Sequence, residues 1–547
     1  MELTIVQKDA VDILVVGSGI AGLIATDQAV RLGYKVCLTT TGKICGGASF
    51  FPIKGTLGIQ VTSREVADKE RYREDISNMG DRMENPELIK TYINEIRNNI
   101  NLLKNIGFNP WLRKDNRPAC FAKYARDIYL INNWKQAKEQ CTEQLSAYKN
   151  LTLLEESSLI RIVKNKDCVV GAIFKIRDKY TFIQAKAIIL ATGGVAGNYK
   201  NSLYPTTVTG MGHIVALDAG AQAQNMEFIQ FIPAFLSPKY NVLFGEHTLK
   251  YCAGMFSLNK QLVIPGVQDK DWKALWLERS SYAPFSFDFE SHKIDLQINS
   301  EGVKLKFNKE LYDDKEEFYE VYLNWLKNEM GIDLLKDDVV ITHFAHSCNG
   351  GIKIGTSGET GVAGLYAIGE LSSAIEGANR LGGNSVGGAL VFGKRAVEHI
   401  QKYIKGLKNN DINFEKIVAE FYSWVDELLK ADGQNKLSSS ELVQTIKKIA
   451  NNSMGIERDK ETLTQALKDI ENLRKNYSIK DNLNEKGIET YLRIETVKLL
   501  LISMLTRNES RGAHYRRDFP YTSDQPYKII LARRDNQTIA QKEYVLN

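Results

Sequence analysis

An α/β class, with helices wound about a parallel sheet, follows from three features of the sequence. The first is the apolar, β-branched run Asp12-Ile-Leu-Val-Val-Gly17, followed by a glycine turn and the Ala-, Ile- and Leu-rich stretch Ile20 to Arg31. An apolar run without alternation fits a strand buried on both faces, and a Pro-free stretch closed by Gly33 fits a helix. The second is a returning strand, Lys35-Val-Cys-Leu-Thr39. The third is recurrence. Ala187-Ile-Ile-Leu-Ala-Thr-Gly-Gly194 and Gly364-Leu-Tyr-Ala-Ile-Gly-Glu370 each run a strand into a small-residue turn.

Between these landmarks the pattern changes in order along the chain. Residues 63–105 carry apolar side chains at helical spacing, such as Ile89, Ile93, Ile96, Ile100 and Leu103. From Asn150 to Leu190 the runs are short and strand-like. The segment from about Phe231 to Thr342 mixes aromatic, charged and strand-like pieces and reads as an inserted domain. Glycines crowd residues 349–393, and the last 150 or so residues return to amphipathic helix, as in Leu463, Ala466, Leu467, Ile470 and Leu473. A terminal stretch, Tyr527 to Leu546, predicts a small hairpin.

Composition narrows the function. The 547 residues are 43% hydrophobic and 25% charged, ordinary for a globular chain. Lys plus Arg is 71 against 66 Asp plus Glu, a balance that disfavours a concentrated nucleic-acid-binding face. The most apolar charge-free run, between Asp12 and Asp27, is too short to span a membrane, and no secretory leader is expected. Seven cysteines form no CxxC pair, which argues against an iron–sulfur cluster or zinc ribbon; no metal site and a reducing, cytoplasmic setting are expected.

Gly17-Ser-Gly19-Ile20-Ala21-Gly22 lies between strand and helix, the context in which GxGxxG signals dinucleotide binding. The first glycine permits the tight turn, and the second lets backbone approach a pyrophosphate. The third packs helix on strand, and the helix N-terminus faces the phosphates. The acid that usually serves the ribose is replaced by Thr39, Thr40 and Thr41, so a hydroxyl or backbone group must serve there. That departure weakens an NAD reading more than an FAD one.

Two blocks carry a resemblance. Gly377-Ala-Asn-Arg-Leu-Gly-Gly-Asn-Ser385 is followed by Val391-Phe-Gly-Lys-Arg-Ala396, and Glu509-Ser-Arg-Gly-Ala-His-Tyr-Arg-Arg-Asp-Phe-Pro520 lies near the C-terminus. With these, the chain resembles, almost end to end, the flavoprotein family of succinate dehydrogenase, fumarate reductase and L-aspartate oxidase. The resemblance implies a Rossmann-like FAD-binding domain interrupted by an α+β capping domain and followed by a C-terminal helical domain. The expected parts are residues 1–230 and 343–405 for the FAD domain, 231–342 for the cap and 406–547 for the helical domain. It also implies FAD contacts from Gly17, Gly19, Ile20, Ala21, Gly22, Thr40, Thr41, Gly47, Ala48, Ser49, Ala191, Thr192, Gly193, Gly369, Glu370, Arg380, Gly383, Asn384 and Ser385. Asn384 and Ser385 open a small-residue helix whose N-terminus would face the flavin pyrimidine ring. Members that attach FAD covalently carry His before the Ser49 position; Ala48 stands there, so FAD is expected to bind non-covalently.

The family's two substrate anchors map onto His346, four residues before Gly350-Gly351, and Arg380. Arg clamps a carboxylate through two parallel hydrogen bonds, and a His N–H adds a third; the plainer readings are a core histidine and an ion pair of Arg380 with Glu370 or Glu376. The cap half departs from the family. Ile232-Pro233-Ala234 stands where the family has His-Pro-Thr, and the Arg of its Glu-x-x-Arg-Gly-Glu pattern is missing from Gly245-Glu-His-Thr-Leu-Lys-Tyr251. His247, Lys250 and Tyr251 are candidate acids or bases there, or surface residues of a cap loop. Cys45 and Cys348 beside the cofactor segments read as small buried hydrophobes, and Phe50, Phe51 and Trp111 as core or pocket wall.

The reading is an FAD-dependent oxidoreductase that moves a hydride between flavin N5 and a small carboxylate-bearing substrate, at a CH–CH or CH–NH bond, and not succinate or fumarate itself. The rivals are an L-aspartate oxidase-like amino-acid oxidase and a non-catalytic flavin-carrying subunit. An electron-transfer protein is an expected partner in the last case.

Overall fold

The computed structural model describes residues 4–51, 55–63, 65–298, 300–313, 317–407, 412–430, 433, 437–483 and 486–545, with 317 and 318 described by backbone only. The strand Ile5–Val16 is central in a seven-stranded sheet. It lies parallel to Val36–Thr39, with Ile13 opposite Val36, and to Lys179–Leu190, with Leu14 opposite Ile188. Leu151–Leu154 and Leu365–Ala367 extend the parallel set, and the hairpin Ser157–Asn165/Cys168–Ile176 is added antiparallel. Ile13, Leu14 and Val15 have no exposed surface, as an apolar run sandwiched between helices requires. The strand begins seven residues earlier than its apolar run, because Ile5–Lys8 pairs with Tyr180–Ile183 across a register shift at Lys8/Val11.

The helices Ile20–Arg31 and Asn384–Gly406 pack beside this sheet. The predicted helical stretch at 63–105 is two helices, Val66–Gly80 and Pro86–Asn99, followed by a 3₁₀ segment, Ile100–Ile106. Asp81 and Arg82, both at positive φ, break it, and Pro86 restarts it where its missing N–H is harmless. The helix Trp134–Ala147 and a small sheet of Leu57–Gln60, Ile128–Ile131 and Trp111–Leu112 fill the segment before residue 150.

A second sheet has the order Ile229–Ser237, Val339–Cys348, Val303–Phe307, Cys252–Phe256 and Leu262–Pro265. It has its own apolar cluster, including Phe235, Trp276, Leu326 and Ile341, separate from the main core. Its first two strands are antiparallel, with Ile232 opposite Phe344 and Ala234 opposite Thr342, and they lead into and out of this body.

The C-terminal region contains Phe414–Lys430, Ser439–Ser453, Lys460–Asn476 and Gly487–Thr506. Ser438 and Glu441 form a capping box on the second helix. The hairpin is present as Tyr527–Arg534 and Gln537–Tyr544, with Ala532 opposite Ile539. It does not stand alone: Leu531 pairs with Ala223, so the hairpin completes a sheet with Gly351–Lys353 and Ser372–Ser373. No helix among the described residues is long and apolar enough to cross a membrane.

Candidate active site

The glycine turn forms the floor of a cavity of about 510 Å³. Gly17 sits at φ +111°, and a Cβ there would lie 2.2 Å from the Ala191 carbonyl oxygen. A Cβ on Gly22 would fall 1.9 Å from the Gly17 oxygen, so this third glycine packs helix against turn beneath the cavity. Gly19, Ile20 and Ala21 line the cavity itself, and Ser49 Oγ accepts the Ile20 N–H at 3.2 Å. The helix has no acidic residue in its first turn, which leaves its positive end free for an anion.

Thr40, Thr41, Gly47, Ala48, Ser49, Ala191, Thr192 and Gly193 also line the cavity, and so do Cys45, Phe50 and Phe51. Thr39 does not; it is buried, and its hydroxyl donates to Val15 O at 3.4 Å. The Thr192 hydroxyl is buried with no hydrogen-bond partner among the described residues, an orphan that a ligand group would satisfy. Two glycine-shaped surfaces, a helix N-terminus with no acidic residue in its first turn and the unspent Thr192 hydroxyl fit the pyrophosphate and ribose groups of FAD.

At the far end the helix Asn384–Gly406 begins after Gly383, which has φ +89°. Ser385 lines the cavity; Gly383 and Asn384 do not. Asn384 Oδ1 accepts from Tyr72 Oη at 2.7 Å, so that side chain faces a tyrosine pair behind the helix start. Trp111 is likewise outside the lining, in the small sheet.

Gly369, Glu370, His346 and Arg380 close this end. Glu370 accepts from Tyr204 Oη at 2.6 Å and from the Cys348 N–H at 3.0 Å. Burial pushes its carboxyl up to about 7 against those hydrogen bonds and the Arg380 charge, while the Glu376 charge adds to the rise. A Cβ on Gly194 would lie 2.0 Å from Glu370 Oε1, so glycine there makes room for the carboxylate. The His346 ring meets Tyr204 edge-on, centroids 5.3 Å apart.

Arg380 forms no ion pair with Glu370 or Glu376. Its Nε donates to Gln230 Oε1 at 3.1 Å, and Gln230 Nε2 in turn donates to Asn379 Oδ1 at 2.7 Å. Gln230 comes from the first strand of the second sheet and is fully buried. The guanidinium is therefore oriented through one donor, which leaves its Nη groups for a ligand.

His247 and Lys250 lie apart from the cavity lining. The 3₁₀ segment Glu246–Tyr251 turns His247 into the second core, stacked on Tyr319 at 4.1 Å between centroids. The Lys250 ammonium lies 4.5 Å over the same Tyr319 ring and 5.1 Å over Tyr251. Cap aromatics hold these groups, a placement no local spacing in the sequence announces. The sequence reading also missed Tyr204 and Gln230, and named Gly194 only as part of a small-residue turn. Tyr204 and Gln230 each act through a partner more than a hundred residues away, so no local motif marks them.

Comparison with known proteins agrees with this geometry. A family model described as the FAD binding domain matches residues 12–250 and 282–386, and one described as the fumarate reductase flavoprotein C-terminus matches 443–545. An uncharacterised FAD-dependent oxidoreductase of Methanocaldococcus jannaschii is 29% identical over 422 residues, 74% of each chain. The L-aspartate oxidase of Saccharolobus solfataricus is 26% identical, covering 95% of this chain and 98% of its own. Among solved structures, an E. coli quinol fumarate reductase chain superposes with a TM-score of 0.79 at 20% identity, covering 99% of this chain and 97% of its own. A glycine-built cavity, matched by the FAD-domain and C-terminal models together, places this chain in the succinate dehydrogenase, fumarate reductase and L-aspartate oxidase flavoprotein family, as an FAD-dependent oxidoreductase.

Proposed function

We propose that the protein oxidises or reduces a small carboxylate-bearing molecule at a CH–CH or CH–NH bond, with non-covalently held FAD as the redox partner. Bound FAD supplies a two-electron centre that accepts or donates a hydride at N5. The observation that carries the reading is Arg380: a cavity-lining guanidinium oriented by Gln230, with no carboxylate of the described residues within ion-pair distance. Such a fork binds a carboxylate through two parallel hydrogen bonds and fixes its plane. His346, from the Val339–Cys348 strand, lines the same end and supplies a second polar contact to the ligand. Together they orient the bond to be broken and so contribute several kcal/mol of barrier lowering, on the order expected for positioning. Ile232 and Ala234 stand where the resembled family has His and Thr, and both are buried in the second sheet outside the cavity lining, so neither supplies a donor to a second carboxylate, which disfavours succinate or fumarate. Ala48 in the lining leaves no imidazole for a covalent bond at that position.

A second reading, an amino-acid oxidase, is favoured by one observation: several relatives at 24–29% identity bear the name L-aspartate oxidase. One experiment separates the two. The purified holoprotein is photoreduced without oxygen and then challenged with alkenoic acids, 2-keto acids, imino acids and oxygen. Rapid reoxidation by an alkenoic acid supports CH–CH chemistry; reduction of the oxidised protein by an amino acid supports the oxidase. Failure of every carboxylate to exchange electrons or perturb the flavin spectrum would refute both and leave an electron-carrying subunit.

A further inference from the structure

Adjoining the Glu370–Arg380 end of the cavity, and sharing Gly369, Glu370, Arg380, Ser385 and Ala389 with its lining, lies a pocket of about 20 Å³. Asn349, Glu370, Glu376 and Arg380 are among its walls. Asn349 is 2% exposed, and neither its Oδ1 nor its Nδ2 has a hydrogen-bond partner among the described residues. Its backbone N–H donates to Phe228 O at 2.9 Å, so the residue is fixed while its amide is left unspent. A buried amide without partners costs about 1–3 kcal/mol, and native interiors avoid that by placing a water. The volume exceeds the roughly 10–15 Å³ one water needs, and the walls offer more than the required two polar partners.

We propose that this chamber holds one water, hydrogen-bonded to Asn349, through which Glu376 exchanges a proton with Glu370 at the edge of the FAD cavity. The proposal rests on the carboxylate-oxidoreductase reading for its purpose: it supplies the proton from the FAD domain, whereas His247 and Lys250 are held against Tyr319 in the cap. Glu370 belongs to both the cavity and the chamber; Glu376 belongs to the chamber alone. Burial raises both carboxyls, and Arg380 opposes the rise in each. Tyr72 and Tyr92 face Glu376 from the two helices behind it, and Tyr204 and the Cys348 thiol face Glu370. Burial holds these phenols and the thiol well above neutrality, so none of these four groups competes with the two raised carboxyls for the proton.

The step balances without a further reagent. In the oxidative direction a substrate X–H bond breaks, and its proton forms an O–H bond on Glu370. Glu370 returns that proton to the water as the water gives another to Glu376. The carboxyls and the water neither gain nor lose electrons, and the reductive direction runs the same exchange backwards. Glu376 is a positioning residue in this scheme, since it acts through the water and Glu370.

The test uses no substrate. The holoprotein is photoreduced anaerobically in weakly buffered solution, and the flavin midpoint potential is measured from pH 6 to 8. A carboxyl pair that takes up a proton as reduction adds charge steepens the pH dependence. One proton per two electrons adds about 30 mV per pH unit, the two-electron equivalent of a tenfold change. Glu376→Gln should lose most of that extra slope while keeping FAD, and Asn349→Leu, which displaces the water and keeps both carboxyls, should lose it too. A wild-type slope in Glu376→Gln overturns the proposal. Should that variant not hold FAD, Asn349→Leu decides by the same criterion, and a high-resolution structure of the wild type decides independently: a dry chamber overturns it. Because no substrate enters, a flat result counts against the relay alone, while absence of any carboxylate response counts against the functional reading alone.

Discussion

Replacing Arg380 by lysine isolates the geometry of the proposed clamp from its charge. In the structure the guanidinium spends Nε on Gln230 Oε1 at 3.1 Å and keeps its Nη groups for the cavity. Lysine retains one positive charge, but it offers a point donor in place of a planar fork. The variant loses at least one charge-assisted hydrogen bond, worth about 1.5–3 kcal/mol, together with the alignment it enforces. A loss of about 3 kcal/mol corresponds to a fall in turnover of roughly two orders of magnitude. FAD content should survive, since the cofactor cavity is built mainly by glycine turns and helix starts elsewhere. The assay is titration of the oxidised holoprotein with small carboxylates and their matching amides, followed by absorbance. Carboxylates should perturb the wild-type flavin spectrum and not that of Arg380→Lys, and the amides should perturb neither. Wild-type carboxylate affinity in the variant would remove Arg380 from the site and leave His346 as the sole anchor.

Three further outcomes follow from the same structure. Acid precipitation should release FAD into the supernatant, identified by chromatography; colour retained in the pellet would contradict non-covalent binding. Hydrogen exchange with and without a bound carboxylate should change across residues 231–342 as a block, because a body with its own core joined by two strands can hinge; identical protection in both states would exclude a moving cap. Finally, the raised Glu370 carboxyl makes the folded apoprotein bind more protons than the unfolded chain between about pH 4.5 and 7. Its stability should therefore fall as pH rises through that window, by about 3 kcal/mol from this group, and Glu370→Gln should flatten the melting-temperature profile there. An unchanged profile would show that Glu370 is not the group responsible.

The FAD half of the site was legible in the sequence because its constraints are local. Gly17 must adopt a positive φ and admit Ala191 at close range, and Gly22 must let a helix touch the turn; only glycine satisfies either, so spacing exposes both. The same reasoning reached the strand Asp12–Val16, the helix Ile20–Arg31 and the terminal hairpin. It did not reach the hairpin's union with Ala223, nor the pairing of Gln230 with Arg380, which lie far apart in the chain and depend on the finished fold. His247 and Lys250 were attractive for their chemistry alone. Their contacts with Tyr319 depend on a helix some seventy residues away, which no local pattern encodes.

Several of the contacts that cross from cap to FAD domain meet at the Gly377–Arg380 segment, beside others at Cys120, Phe121 and Asn201. Gln230, at the entry to the cap, holds Asn379 and Arg380; Asn379 Nδ2 donates to Phe285 O at 3.1 Å. From behind, the Ala513 N–H donates to Ala378 O at 3.0 Å, while Gly512 donates to Asp288 Oδ1 at 3.1 Å and accepts from the Phe287 N–H at 2.8 Å. The C-terminal Glu509–Pro520 block thus supports both the anchor segment and the cap segment that faces it. Two motifs more than a hundred residues apart in the chain pack as one unit around Arg380. Under the proposed function, a carboxylate that fixed the Arg380 fork would also fix Gln230 and with it the first cap strand, linking ligand binding to cap position through one short chain of hydrogen bonds. Disruption of Gln230 should loosen carboxylate recognition and cap placement together while leaving the glycine-built FAD floor intact.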